Sequence, residues 1–376
     1  MTMDGASKRT VMAAVAEKPN AAFDVRQLQL EAPRPDEVLV RVAGVGICHT
    51  DLIARDQIVP VKLPAVLGHE AAGTVEQVGS EIADLAPGDT VVLTFLSCGN
   101  CARCNGGEPA YCAQMPVLNF LGRRADGSVA LTDGGTPIGS HFFGQSSFAS
   151  YAVAPRRSVV KVNSPLPTEL LGPLGCGIQT GAGAILNVID PLPDSSIAIF
   201  GGGAVGLSAV LAAAAAGCKR IVAVDPKAER RQAALDLGAT EALDPLAPDF
   251  NTALMANGEF DSSLDTSGVP DSIAAAVTCL RVRGICALVG TPAVVGQTFP
   301  VRTGLFVQKG ITLRGVIEGD ADPQTFIPHL LALQAEGRFP FERLIRTYPL
   351  AAINDAVADQ HNGHCIKPVL TMEDYS

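Results

Sequence analysis

The sequence predicts an α/β chain in two parts: a compact, mostly β domain, then a doubly wound parallel sheet. Three observations predict it. The first third holds short β-like runs punctuated by Pro and Gly, and no helix of length. From Ser196 onward, strand-length apolar runs alternate with helix-forming segments. At 376 residues the chain is long enough for two domains that each bury a core, and 47% apolar content marks it as globular.

Taken in order, residues 11 to 45 carry β-like runs, notably Glu37 to Val45, separated by Pro33, Pro35 and Gly44. Gly46-Ile-Cys48-His49-Thr50-Asp51 and Leu67-Gly68-His69-Glu70 follow as Gly-flanked turns. Val75 to Val92 predicts two strands around the turn Pro87-Gly88-Asp89. Residues 113 to 140 are loop-rich, with Gly127 and the pair Gly134-Gly135. Ala152 to Ala154 is strand-like, and Leu170 to Gly181 leads into an apolar helix. Beyond Pro191 and Pro193 the spacing predicts strands at Ile197–Phe200, Ile221–Val224, Phe260–Asp265, Gly284–Gly290 and Ile311–Gly315. Helices are expected at Ala228–Leu237, about Asp271–Leu280 and Pro323–Gly337.

The richest local signal is Ser196 to Asp225. An apolar strand meets Gly201-x-Gly203-Ala204-Val205-Gly206, an Ala-rich helix follows, and a second apolar strand ends in Asp225. Gly201 permits the tight turn, Gly203 removes a side chain that would keep the backbone from a pyrophosphate, and Gly206 lets helix and strand pack closely. The helix N-terminus offers N–H groups and partial positive charge to phosphates. Asp225 stands where an acid binds the adenosine-ribose hydroxyls and would repel the extra phosphate of NADP, which predicts NAD as cofactor.

Composition excludes several classes. A net charge of −10 argues against nucleic acid or an anionic membrane as partner. No apolar run reaches the roughly 18 residues of a membrane span. The six apolar residues before Glu17 are too few for a secretory segment, so the expected location is cytoplasmic. There, ten cysteines point to metal binding or packing rather than disulfides.

Cys98, Cys101, Cys104 and Cys112 form C-x2-C-x2-C-x7-C. Four soft thiolates suit a tetrahedral zinc with no open position, a structural site, with an iron–sulfur cluster as the competing reading. Cys48, His69 and Cys176 lie far apart, each in a Gly-flanked turn. Two cysteines and a histidine can form a catalytic zinc site with a vacant fourth position, but taken singly each is more often a buried core residue than a ligand.

The combination G-I-C-H-T-D, L-G-H-E-A-A-G-T-V, the Cys98–Cys112 quartet, G-C-G-I-Q-T-G-A-G and G-G-G-A-V-G-L resembles the zinc-containing medium-chain alcohol dehydrogenases, over nearly the whole chain and in the family's order. C-H-T-D-L, F-F-G-Q-S-S-F and L-G-P-L-G-C-G-I-Q-T-G look most like the aryl-alcohol (benzyl alcohol) and geraniol dehydrogenase branch.

The resemblance implies a GroES-like β domain carrying two zincs (residues 1–180, rejoined by 319–376), a dinucleotide-binding Rossmann domain (181–318), and an active site in the cleft between them. It implies Cys48, His69 and Cys176 as ligands of catalytic zinc, and the Cys98, Cys101, Cys104, Cys112 set as ligands of structural zinc. Thr50 would hydrogen-bond the alcohol, Asp51 would orient His69, and Glu70 would lie behind the metal. For NAD it implies Gly201 to Gly206, Asp225 and Thr180, with His49 or Lys367 on the pyrophosphate. One position departs from the pattern: Ile53 stands where some relatives end a proton relay with histidine, so the proton must leave through ribose hydroxyls, water or His49.

Phe95, Phe142, Phe143 and Thr291 are the expected substrate-pocket residues, with core packing the alternative for each Phe. An aromatic wall favours benzylic or allylic primary alcohols over ethanol, because the larger group has more area to bury. A glutathione-dependent formaldehyde dehydrogenase, a general aliphatic alcohol dehydrogenase, and a NAD- and zinc-binding protein without turnover are the competing functions. A quinone oxidoreductase, which usually lacks the zinc ligands, fits less well. The long 113–140 stretch resembles that of dimeric relatives and implies a homodimer, with a tetramer as the other arrangement.

Overall fold

A computed structural model describes residues 8–291, 296–372 and 375. The chain divides into two compact units. One comprises Met1–Cys176, Asp322–His329 and Ile345–Ser376; the other comprises Gly177–Ala321 and Leu330–Leu344.

The first unit is built on two sheets. Glu37–Gly46, ten residues of which eight are buried, forms the spine of the larger one. It pairs antiparallel with Ala71–Val78, Tyr151–Pro155 and Lys367–Thr371. The register slips at Leu39/Val40 and again at Val42/Gly44. Such bulges bend a strand and re-aim its end, and here that end runs into Ile47 and Cys48. The smaller sheet places Arg9–Ala16 between Asp24–Leu30 and Ala65–Val66. Val11, Val15, Leu28, Val38, Val40, Leu67, Val91 and Phe148 fill the shared core.

The second unit is the doubly wound parallel sheet. Its strands run Glu241–Leu243, Arg220–Val224, Ser196–Phe200, Phe260–Asp265, Leu280–Leu288, Thr312–Gly315, all parallel. Apolar runs such as Ile197–Phe200 and Ile221–Val224 are buried on both faces, which is why they read as continuous rather than alternating. The reversal of strand order falls beside Ser196–Phe200, where such sheets open a crevice at their carboxyl ends.

Among the described residues the first third holds only short helices, as expected; one is His49–Arg55, seven residues long, whose first turn is closed by the Asp51 carboxylate on the Cys48 N–H. The 113–140 stretch is more than loop. Met115–Phe120 is a helix, and Leu131–Asp133 pairs with Thr136–Ile138 across Gly134-Gly135. Both glycines have positive φ, 51° and 90°, the backbone that a two-residue hairpin turn demands.

Candidate active site

Cys48, His69, Glu70 and Cys176 converge within the first unit, with one candidate donor atom from each lying within 4.8 Å of the others. The end of the spine strand delivers Cys48. The turn before Ala71–Val78 delivers His69 and Glu70, and Cys176 ends a tight 3-10 turn over Gly172–Gly175. That turn requires glycine for space: a Cβ at Gly172 would sit 2.1 Å from the Glu70 carbonyl oxygen, and one at Gly175 would sit 2.0 Å from that of Leu93. Thr94 Oγ1 donates to the Gly175 carbonyl at 2.7 Å. The Gln145 amide donates to the His69 carbonyl at 3.0 Å.

Asp51 organises the centre. Its Oδ1 accepts from Gly68 N at 3.0 Å and from His69 Nδ1 at 2.8 Å, while Oδ2 accepts from Cys48 N at 2.9 Å. With Nδ1 carrying the proton toward Asp51, Nε2 presents a lone pair. Nε2 is buried and has no hydrogen-bond partner among the described residues. A carboxylate–histidine pair of this kind is the usual support of a metal-ligating imidazole. The Cys48 thiol is held well below its ordinary range, chiefly by its contact with Cys176, against the opposing effect of burial. Two soft sulfurs and one imidazole nitrogen, its lone pair buried without a hydrogen-bond partner among the described residues, fit a zinc ion.

Glu70 faces Lys367. The ammonium donates to Oε1 at 3.0 Å, to Oε2 at 2.8 Å and to the Ile47 carbonyl at 3.2 Å. Burial opposes the charge on Lys367, but Glu70 outweighs it and the amine stays protonated. Lys367 is 2% exposed and holds Glu70 in this pair. Thr50 is half-buried with Oγ1 3.7 Å from Cys48 Sγ, and His49 is exposed at the start of its helix.

Phe142 and Phe143 pack against His69 and are buried in the core of the first unit. Phe143 stacks on the imidazole and Phe142 meets it edge-on. Phe95 is 3% exposed and belongs to the core. Thr291 lies in the second unit, exposed, beyond the carboxyl end of Leu280–Leu288.

The Cys98–Cys112 lobe gathers separately, its four sulfurs within 4.8 Å of one another. Cys98 and Cys104 sulfurs are 4.0 Å apart. Zinc–sulfur bonds of about 2.3 Å in a tetrahedron put the sulfurs about 3.8 Å apart, so the cage suits one ion. Backbone N–H groups of Cys98 and Gln114 point at Cys112 Sγ at 3.2 and 3.4 Å. The Ala113 N–H, 3.5 Å from Cys101 Sγ, leads the causes that lower that thiol to about 6.

In the second unit, Gly201 and Gly206 are glycines for packing. A Cβ at Gly206 would lie 1.7 Å from the Gly201 carbonyl oxygen, and one at Gly201 would lie 2.4 Å from Thr266 Oγ1. Gly203 differs: a Cβ there would meet nothing within 4 Å. The chain's own packing therefore does not require glycine at 203, whereas a phosphate approaching the turn would. Asp225, 3% exposed, accepts from Gly202 N at 2.7 Å and Lys227 N at 2.8 Å. Those two bonds leave acceptor capacity on the carboxylate for ribose hydroxyls. Thr180 is buried in the helix Gly177–Gly183, its hydroxyl 3.5 Å from Glu318 Oε2. These features fit a dinucleotide.

Two residues near these sites, and one pairing, escaped sequence reasoning. Arg230 holds a guanidinium nitrogen 3.6 Å from Asp225; the only signal was a basic residue five positions on. The Gln145 contact lay within a quoted motif but carried no role. The pairing of Lys367 with Glu70 had no local signal.

Comparison with known proteins decides the family. The alcohol dehydrogenase GroES-like domain family matches residues 34–164, and the zinc-binding dehydrogenase family matches residues 204–335. This chain is a member of the zinc-containing medium-chain alcohol dehydrogenases. It is 50% identical to the geraniol dehydrogenase of Castellaniella defragrans over 96% of its length and 97% of that protein. The crystal structure of an alcohol dehydrogenase zinc-binding domain protein from Burkholderia ambifaria superposes with a TM-score of 0.95 at 50% identity, covering 97% of this chain and 100% of that one. Benzyl alcohol dehydrogenase from Acinetobacter calcoaceticus follows at TM-score 0.93 and 42% identity, covering 97% and 99%. As in the rest of the family, the β-rich part is GroES-like and the parallel sheet is the Rossmann-like part. No helix among the described residues of this dehydrogenase is long and apolar enough to cross a membrane.

Proposed function

We propose that this dehydrogenase oxidises a primary aromatic or allylic alcohol, benzyl alcohol-like or geraniol-like, to its aldehyde with NAD. The observation that carries the reading is the Cys48–His69–Cys176 donor set with its buried, unpartnered Nε2. In this reading these three residues hold a catalytic zinc, and the Cys98, Cys101, Cys104 and Cys112 thiolates hold a structural one. Residues 1–180 and 319–376 then make up the catalytic domain and 181–318 the cofactor domain.

When bound, zinc would stabilise negative charge on the alcohol oxygen while NAD takes up the hydride. The protein's own groups do the rest. Asp51 fixes the His69 tautomer. Lys367 neutralises Glu70, so that no uncompensated carboxylate adds to the charge of two thiolates. Thr50 Oγ1 accepts the hydrogen bond of the alcohol hydroxyl and passes its proton on to ribose hydroxyls, water or His49; Ile53 cannot take part. Gly203 admits the pyrophosphate, and Thr180 belongs to the cofactor's surroundings. Asp225 selects NAD over NADP, with Arg230 as the group that works against that choice. The relatives named for geraniol and benzyl alcohol support the substrate class. A homodimer is the expected assembly.

Initial rates of NAD and NADP reduction with benzyl alcohol, geraniol and ethanol test the reading. It predicts kcat/KM for benzyl alcohol or geraniol far above ethanol, with NAD preferred. Equal values for ethanol would refute the substrate class, and absence of turnover with either cofactor would refute the activity.

A further inference from the structure

We infer that Phe143 is a positioning residue for His69, clamping the imidazole so that Nε2 stays aimed at the metal position. The inference rests on the reading of His69 as a metal ligand.

The two rings stack with centroids 4.3 Å apart and planes 25° from parallel. Phe142 presses the same imidazole edge-on, at 5.6 Å and 82°. Asp51 fixes the ring at Nδ1. A hydrogen bond at one nitrogen leaves an imidazole free to tilt out of its plane, and a ring lying flat on its face removes that freedom. Phe120 backs Phe143 edge-on at 5.2 Å and 78°, so the clamp cannot swing away.

The backbone shows what this placement costs. Phe143 sits at φ 52°, ψ 33°, the left-handed region, which disfavours a bulky residue. Gly144 and Ser146 follow with φ of 69° and 50°. Strain of this kind persists only where surroundings over-determine it, and here the surroundings are the segment that carries His69. Ser146 Oγ donates to the Val66 carbonyl at 2.6 Å and accepts from Phe142 N at 2.9 Å. Ser147 N donates to the Gly68 carbonyl and Phe148 N to the Leu67 carbonyl, both at 2.9 Å. Gln145 donates to His69's own carbonyl. The loop 142–148 is thus laced to residues 66–69, and its strained point delivers one ring to one imidazole. A side chain that merely lined a pocket would not call for that register.

The test uses the purified holoprotein with Phe143→Leu, which keeps apolar bulk and loses the flat face, and Phe143→Tyr, which keeps the face. Metal release to a chromogenic chelator is followed, the Cys98–Cys112 lobe serving as a reference within the same molecule. Cobalt(II)-substituted samples are compared by absorption. The expected result is release from the His69 site about threefold to tenfold faster in Phe143→Leu, with a shifted cobalt band. Release from the four-cysteine lobe stays unchanged, and Phe143→Tyr behaves as wild type. Should Phe143→Leu fail to fold, Phe143→Met carries the same comparison. Wild-type release and an unaltered cobalt spectrum, even with a raised KM, would overturn the inference and leave Phe143 a pocket wall. A wild-type protein that binds metal only in the four-cysteine lobe would overturn the ligand reading itself, and that is visible before any variant is made.

Discussion

Replacing Asp51 by Asn changes one oxygen for an amide nitrogen and sets two requirements against each other. Asp51 Oδ1 accepts from His69 Nδ1 and Gly68 N, and Oδ2 accepts from Cys48 N. An amide has a single accepting oxygen. If that oxygen takes the Oδ1 position, the NH2 faces the Cys48 N–H. If it takes the Oδ2 position, the NH2 faces Gly68 N–H and His69 Nδ1. A buried donor facing a donor costs about 1–3 kcal/mol. In the second arrangement His69 keeps a partner only by moving its proton to Nε2, which removes the lone pair intended for the metal; in the first, the conflict falls on Cys48, the neighbouring donor residue. Loss of such a supporting partner lowers metal affinity about 10–100-fold, a range that agrees with the hydrogen-bond figure. Zinc affinity of wild type and Asp51→Asn, measured by equilibrium competition with a chelator, checks this, with the Cys98–Cys112 lobe as internal standard. An Asn variant with wild-type affinity at the His69 site would refute the reasoning and reduce Asp51 to a cap of the helix His49–Arg55.

Glu37 is buried against Arg124, with bonds of 2.6 and 2.9 Å, and His141 lies 3.5 Å away. Burial pushes its carboxyl up, but His141, Arg124 and the Arg34 N–H together bring it down to about 2 from 4.5. A depressed carboxyl stabilises the fold fully above the unfolded value and loses that contribution as pH falls from 4.5 toward 2. Glu37→Gln should therefore cost about 3 kcal/mol at pH 7, with the gap from wild type narrowing below pH 4.5. Urea midpoints at pH 7, 5 and 3.5 read it, and a pH-independent gap would contradict it. Gly203→Ala should leave Tm unchanged and weaken NAD binding, whereas Gly206→Ala should lower Tm sharply, since its Cβ would fall 1.7 Å from a carbonyl oxygen; thermal melts and cofactor titration separate the two. Asp225→Ala should reduce kcat/KM with NAD roughly tenfold to a hundredfold and raise relative use of NADP, because Arg230 remains. Unchanged cofactor preference would remove Asp225 from the selection.

What the sequence revealed was local, and what it concealed was long-range. The glycine turn and the four-cysteine lobe each fit within 15 to 30 residues, so spacing alone carries their chemistry. Cys48, His69 and Cys176 were legible only through family resemblance, because nothing in their spacing tells a ligand from a buried side chain. The pairing of Lys367 with Glu70 was invisible because the two lie 297 positions apart. The hairpin around Gly134-Gly135 read as loop because its strands are three residues each, too short for alternation to register. Helix His49–Arg55 escaped for a related reason. Its cap, Asp51, also serves His69, so tertiary contacts stabilise the seven residues more than any helix pattern does.

The most direct test of the central claim is metal stoichiometry and activity on one variant. Cys176→Ala removes one sulfur from the donor set around His69 and leaves the four-cysteine lobe untouched. The account predicts two zinc ions per chain in wild type, one in Cys176→Ala, and NAD reduction with benzyl alcohol falling below detection in the variant. A Cys176→Ala protein that keeps both ions, or turns over alcohol at the wild-type rate with one, would contradict it.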